Sequence, residues 1–437
     1  MLEALFSDIS LITIEWLFGA SFVLLLILRV PVALAMAMPS LIYLVGTNTP
    51  LTVVPHIMTT AFDSFVIIAI PMFMLAGALM NSGGITDRLF DFANKLVGHI
   101  RGGLAQVNVV GSMIFAGMSG SAVADAAGLG QVEIKAMIKE GFRPEFAAAV
   151  SAASATVGPI IPPSIPLVIY GTTANVSVGA LFLGGVIPGL LMGLFLMGAC
   201  YLIALREDFP RHAKASFGER FRSFLRAFPS LLTPIIIIAG IALGVFTPTE
   251  AAAVAVGYAF VLSSLIYREV GWDSLMKTLA TVAKDSASIL IILSAATLFS
   301  FVLTHSGLAK LAADSLMGLT RDKYLMLLII NILFLIIGCF MEPVSVLLIL
   351  VPMLLPIIDS LGIDRVHFGL VAVLNLMIGL ITPPVGVCLY IVAKIAEVSF
   401  ESAVKATLPF IATLILVLFI ITYVPWLVTA LPRLILT

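Results

Sequence analysis

Two short stretches decide the fold: G-P-I-I-P-P-S-I-P at 158–166 and G-L-I-T-P-P-V-G-V at 379–387. Each sits inside a long apolar run. Proline removes a backbone donor, clashes with the preceding turn and restricts the residue before it. Pro162-Pro163 and Pro383-Pro384 must therefore unwind any helix that carries them. Unwinding frees carbonyls from Gly158 to Ile161 and from Gly379 to Thr382. Freed carbonyls are hard oxygen ligands suited to Na⁺. A half-helix starting after the break offers N–H groups and a partial positive end to a carboxylate.

The two stretches are separated by 221 residues, and so are Gly117 and Gly338. Each of these glycines lies near the middle of a further apolar stretch, 103–137 and 325–359. Both stretches contain a small-residue or proline interruption and are long enough to enter and leave a bilayer on one side. They read as re-entrant helical hairpins, which are tolerated where the backbone is buried in protein or lines a wet cavity. S-G-G-I at 82–85 and S-G-L-A at 306–309 add a weaker echo. Matched anchors in two halves, each with an interrupted helix, are the sequence pattern of a secondary transporter with inverted repeats.

Composition agrees. Of 437 residues, 61% are hydrophobic and 11% charged, and the mean hydropathy is +1.18. A soluble domain is about 25% charged, so a cytosolic enzyme and a secreted disulfide scaffold are excluded. A net charge of −1 offers no basic surface for nucleic acid. Spans of about 20 apolar residues are expected at 9–28, 31–46, 64–80, 145–172, 178–205, 229–246, 250–267, 285–304, 367–396 and 406–429. The first span follows Glu3 and Asp8 instead of a basic leader and is read as retained. With both hairpins in place and the N-terminus outside, only Lys310, Arg321, Lys323, Arg365 and Arg433 of the 23 basic residues fall outside. The positive-inside rule is then satisfied. Loop 206–228 is the densest cytoplasmic segment, and 83–101 and 268–284 are expected to lie flat at the inner interface as amphipathic arms.

The first hairpin tip reads F-A-G-M-S-G-S-A-V-A-D at 115–125 and the second G-C-F-M-E-P-V-S at 338–345. Ser119 and Ser121 supply hydroxyls, and Gly117 and Gly120 permit close backbone approach. Asp125 is an intramembrane acid, a type that is costly and usually functional; the bland alternative is that it steadies the tip. Glu342 is its counterpart, balanced between capping the returning helix, with Pro343 at its first position, and supporting an ion site. Thr247 and Glu250 have capping-box spacing. Cys200, Cys339 and Cys388 lack metal-ligand spacing and read as small apolar fillers. Gly117-Met-Ser119-Gly120 also fits an intramembrane serine protease, which needs a histidine beside the serine; His305 and His367 fall at outer span ends. No P-loop is present. A channel would need a continuous pore, against which opposed hairpins argue.

The chain resembles the large membrane subunit of tripartite ATP-independent periplasmic (TRAP) transporters, the DctM-like family. The resemblance is carried by R-V-P-V-A at 29–33, the 115–130 stretch beginning at the first tip, G-P-I-I-P-P-S at 158–164, G-V-F-T-P-T-E-A-A-A at 244–253 and G-L-I-T-P-P-V-G at 379–386. It implies an all-α polytopic membrane protein of the elevator-type ion-transporter superfamily, working by Na⁺-coupled import of a small organic acid such as a sialic acid or a C4-dicarboxylate. It implies a periplasmic substrate-binding protein and a small four-helix membrane subunit as partners, the latter expected as a separate chain. Expected localisation is the bacterial inner membrane with both termini periplasmic. The resemblance implies a division into first scaffold helices (1–62), a first transport repeat (63–205), a loop with second scaffold helices and arm (206–284), a second transport repeat (285–396) and a C-terminal span (397–437).

Carried over residue by residue, one Na⁺ site would join Ser119, Gly120 and Ser121 to Gly158, Ile161 and Pro162. A second would join Gly338, Met341 and Glu342 to Gly379, Thr382 and Pro383. Asp125, Pro163, Pro343 and Pro384 would support them. Substrate would lie near Ser119, Ser121, Ser164 and Thr382. Thr382 pairs with Ile161 across the repeat, so the two sites are not strictly equivalent. No organic cofactor and no catalytic residue are expected. A stand-alone carboxylate carrier of the same superfamily is the alternative reading, and the protease a remote one.

Overall fold

The computed structural model describes residues 11–28, 30–207 and 209–436. Arg29 of the R-V-P-V-A motif and the acids Glu3, Asp8 and Asp208 lie outside the described residues, as do both chain ends. Among the described residues the structure is helical without strands. Seven helices are long and apolar enough to cross a membrane.

The chain opens with α1 (Leu11–Ile27), α2 (Val32–Gly46) and the short α3 (Val53–Thr60). A 3₁₀ turn, Phe65–Ile68, leads into α4 (Ala69–Ser82) and the amphipathic arm α5 (Ile85–Val97). Helix α6 (Leu104–Ser119) is the outgoing arm of the first hairpin; α7 (Ala122–Ala127) and α8 (Leu129–Lys139) return from it. The first broken span is α9 (Pro144–Ala155) and α10 (Ile165–Ala174), followed by α11 (Val178–Ile203). Then come α12 (Phe217–Ala242), α13 (Pro248–Phe260, extended by a π turn over Val261–Ile266) and α14 (Trp272–His305). Arm α15 (Leu308–Leu319) precedes the second hairpin, α16 (Lys323–Gly338) and α17 (Pro343–Ser360). The second broken span is α18 (Arg365–Gly379) and α19 (Val387–Ala396), and α20 (Phe400–Tyr423) and α21 (Trp426–Leu436) close the chain.

Local chemistry sets these boundaries. Ser177 and Ser399, 222 residues apart, each cap the helix after a broken span. Before them Asn175 and Glu397 adopt left-handed C-caps. Both arms start from left-handed glycines, Gly84 and Gly307. Both lie within the S-G-G-I and S-G-L-A echo, one residue out of its register: Gly307 aligns with Gly83, while the left-handed glycine of the first half is Gly84. Thr247 and Glu250 form the expected capping box, with Glu250 accepting from Thr247 N at 2.8 Å.

Two boundaries differ from expectation. Loop 206–228 is half helix: Ser216 and Glu219 form a second capping box that starts α12 well before the apolar run. The segment 268–284 is not a separate arm. From Trp272 it runs unbroken into the next span as α14, because no glycine or proline interrupts 272–305. The structural counterpart of arm α5 is α15.

The core is built on the first halves of the two broken spans. Every residue of Phe146–Ala155 and of His367–Gly379 is buried. Each is tied to its own hairpin by buried polar contacts. Asn108 on α6 donates to Ser151 at 2.6 Å and accepts from Ser154 at 2.7 Å, while Ser112 donates to Ser154 at 2.9 Å. Asn375, 221 residues beyond Ser154, donates to both the carbonyl and the side-chain oxygen of Asn331 on α16, each at 2.9 Å. The second halves cross over: α10 packs on α17, and α19 packs on α7 and α8. Helices α13 and α14 lie against α4, and α12 lies against α5.

Candidate ion and substrate site

At the first junction α6 ends at Ser119 because Gly120 turns left-handed, with φ +62°. Ser121 is extended and caps α7, accepting from Ala124 N at 3.3 Å. Ser119 Oγ donates to Asp125 Oδ1, and Asp125 is buried with Oδ2 unpartnered. A Cβ placed on Gly158 would lie 2.5 Å from that oxygen. A Cβ on Gly120 would lie 2.6 Å from Pro163 O. The tip thus rests on the break with backbone against backbone. No backbone donor among the described residues reaches the carbonyls of Gly158, Ile161 or Pro162. An unpartnered buried carboxylate oxygen beside unclaimed carbonyls is a donor set for a hard monovalent cation.

The second junction repeats the arrangement. A Cβ on Gly379 would lie 2.5 Å from Gly338 O, and Val385 N donates to Cys339 O at 3.3 Å. Thr382 O and Gly338 O have no backbone donor among the described residues. Glu342 caps α17, accepting from Ser345 N at 3.2 Å, with Pro343 in the first turn and Met341 half-buried ahead of it. Capping and cavity exposure coexist at this acid. Both proline pairs, Pro162-Pro163 and Pro383-Pro384, are cis.

Between the junctions lies a cavity of about 450 Å³. Ser119, Gly120, Ser121 and Glu342 line it. So do the first residues of every helix that begins after an interruption: Ala122 of α7, Ile165 of α10, Pro343 of α17 and Val387 of α19. Four helix N-termini therefore border one space. No lysine or arginine lines it, and Asp285 on α14 joins Glu342 at its margin.

Not every anticipated residue faces this space. Ser164 is fully buried; its hydroxyl donates to Pro159 O and accepts from Leu167 N, capping α10. Thr382 donates to Ile378 O at 2.7 Å. Neither lines the cavity, and each shapes a break instead. Asn81 and Asp285 do line it and were not anticipated. Their sequence signal is a polar residue near the end of an apolar run. No histidine bonds to Ser119: His305 faces Tyr43 and His367 faces Ile421 O. The protease arrangement is absent among the described residues.

Helical throughout its described residues, with two helix–break–helix junctions bordering one cavity, the chain is a polytopic membrane transporter. The chain belongs to the family described as the tripartite ATP-independent periplasmic transporter, DctM component, which it matches over residues 19–427. It is similar to the sialic acid TRAP transporter large permease protein SiaM of Vibrio cholerae, with 43% identity covering 94% of this chain and 96% of that one. A C4-dicarboxylate TRAP transporter large permease protein DctM of the same organism is 38% identical over 94% and 95% of the two chains. In fold it is similar to the Alcanivorax borkumensis YdaH transporter, with a TM-score of 0.65 and 17% identity over 87% of this chain and 88% of that one. It is a transporter permease and not an enzyme.

Proposed function

We propose that the chain performs Na⁺-coupled import of a small organic acid across the bacterial inner membrane. It does so with a small four-helix membrane subunit and a periplasmic substrate-binding protein. The observation that carries this reading is the convergence of four helix N-termini on a cavity without a fixed cation. The N-termini attract a carboxylate, while Asp285 and Glu342 repel one. Cations bound at the two junctions shift that balance toward anion binding. Ion and substrate affinities are then coupled, and reciprocally so.

Ser119–Ser121 with Gly158–Pro162 form the first Na⁺ site, and Gly338–Glu342 with Gly379–Pro383 the second. Both termini are periplasmic and the two halves are inverted repeats. Hairpins and broken spans move together against α1, α2, α12, α13 and α14 in an elevator cycle. Relatives named for sialic acid and for C4-dicarboxylates set the substrate class to be tried.

The test is uptake into proteoliposomes holding this chain and the small subunit, with a binding protein loaded with a sialic acid or a C4-dicarboxylate. Uptake is expected only with an inward Na⁺ gradient. Equal uptake with K⁺ and a pH gradient would refute Na⁺ coupling. Uptake of free acid without the binding protein would identify a stand-alone carrier.

A further inference from the structure

The connector from α11 to α12 folds back onto the base of the first hairpin and borders another, smaller cavity of about 150 Å³ that is open to the surface. Its lining includes Arg101, Gly102, Arg206, Glu207, Phe209 and Arg211. Three arginines, each of them exposed, thus border a space with room for a phosphate group. None of the three has a hydrogen-bond or ion-pair partner among the described residues. Glu207, the acid in the lining, is engaged elsewhere, accepting from Arg143 at 2.5 Å. Asp208 lies outside the described residues.

The walls are fixed. Phe209 is buried and stacks on Phe142 and on Phe146, with 4.7 Å between centroids in each pair. Gln106 donates to Arg101 O at 3.1 Å and to Met197 O at 3.0 Å, joining the hairpin base to α11. His212 is held from both ring nitrogens, by Asn94 at 2.7 Å and Glu140 at 2.8 Å. The rim is apolar: Leu205 lines the cavity while 49% exposed, and Tyr201 and Leu202 beside it are exposed as well.

We infer that this cavity is an anion site for a phosphate group, the chemistry offered by the headgroup of an anionic phospholipid. Arginine's planar fork matches phosphate oxygens in pairs, and basic pockets between helix ends on the cytoplasmic side are suited to such headgroups. Positive-inside threading puts this end of the chain in the cytoplasm. The exposed Leu205 and Leu202 supply a surface for acyl chains. A bound phosphate would tie the connector (Arg206, Arg211) to the hairpin base (Arg101). The inference does not depend on which substrate is carried.

The test uses the full chain, purified with its co-purifying subunits and delipidated. Retained lipid is read by native mass spectrometry and protection by thermal unfolding. The probes are phosphatidylglycerol, cardiolipin, phosphatidylcholine and inorganic phosphate. Retention of the anionic lipids over phosphatidylcholine is expected. In Arg206→Gln/Arg211→Gln it should weaken about thirtyfold, at the typical contribution of an arginine near an anionic surface. Lys214→Gln/Arg222→Gln, which removes two exposed cations outside the cavity, should leave it unchanged. Protection by millimolar inorganic phosphate alone, lost in the first variant, assigns the site to free phosphate; protection by lipid assigns it to a headgroup. Protection by neither, survival in the first variant, or equal loss in both variants overturns the inference.

Discussion

Replacing Gly120 by alanine tests whether the first tip must rest on the first break. Gly120 has φ +62°, and the new Cβ would meet Pro163 O at 2.6 Å and Ile165 N at 3.4 Å. Left-handed backbone costs a non-glycine residue about 1 kcal/mol. Overpacking against backbone, which cannot swing aside as a side chain can, costs a further ~1–3 kcal/mol. The total is about 2–4 kcal/mol, placed where tip and break share the proposed ion. The tip can relieve the clash by withdrawing, at the expense of the first Na⁺ site. The expected result is a half-saturating Na⁺ concentration raised about thirtyfold or more, at 1.36 kcal/mol per tenfold. It is read from Na⁺-dependent uptake and from the Na⁺-dependent shift in thermal unfolding. The control is Gly257→Ala. Gly257 lies inside α13 with nothing within 4 Å of a Cβ, and helical propensity favours alanine there. An unchanged Na⁺ titration in Gly120→Ala, with control-like stability, would refute the claim that this contact builds the site.

Three further outcomes are expected. Asn375→Ala removes both bonds to Asn331 and leaves its buried groups unpaired, at about 1–3 kcal/mol; the unfolding temperature of the detergent-solubilised protein should fall. Ser164→Ala removes the cap of α10 at about 1 kcal/mol. It should lower stability without changing the substrate concentration for half-maximal uptake, since Ser164 does not line the cavity. Ser121→Ala and Thr382→Ala should each weaken Na⁺ dependence, and flat Na⁺ titrations in both would show that other oxygens hold the ions.

Much of this site was legible because its defining features are backbone features. Pro-Pro inside an apolar run permits few structures, and equal spacing in two halves links two such runs. Both hairpin tips, both breaks and their pairing follow from that. Side-chain direction was less legible. Ser164 and Thr382 sit in the right segments, yet their hydroxyls are taken by nearby backbone carbonyls, a competition that short polar side chains at helix ends routinely enter. Asn81 and Asp285 reach the cavity from helices outside the hairpins, and only tertiary packing brings them there. The start of α12 is set by the Ser216–Glu219 box and not by the apolar run, which begins only about twelve residues later. Charges in 268–284 give it the look of an interface arm, but Lys277 and Lys284 are exposed on a helix that runs unbroken into the next span.

The two junctions match in backbone and differ in charge, and that difference should order the two ions of the proposed Na⁺ coupling. Asp125 and Glu133 are both buried in the first half. At the 221-residue offset the second half has Val346 and Leu354. Its own acid, Glu342, stands at the cavity margin and is already used to cap α17. Once ionised, a buried carboxylate with a free oxygen attracts a cation more strongly than an exposed, hydrogen-bonded one, because water screens the second and not the first. The first junction should therefore fill first. Na⁺ binding to the substrate-free protein, followed by calorimetry, should show two steps. Asp125→Asn keeps an acceptor for Ser119 and removes the charge, so it should abolish the tighter step and leave the weaker one. Glu342→Gln should weaken only the second. Loss of the tight step in Glu342→Gln, or one indivisible step in the wild type that both variants shift equally, would show that charge asymmetry does not separate the sites.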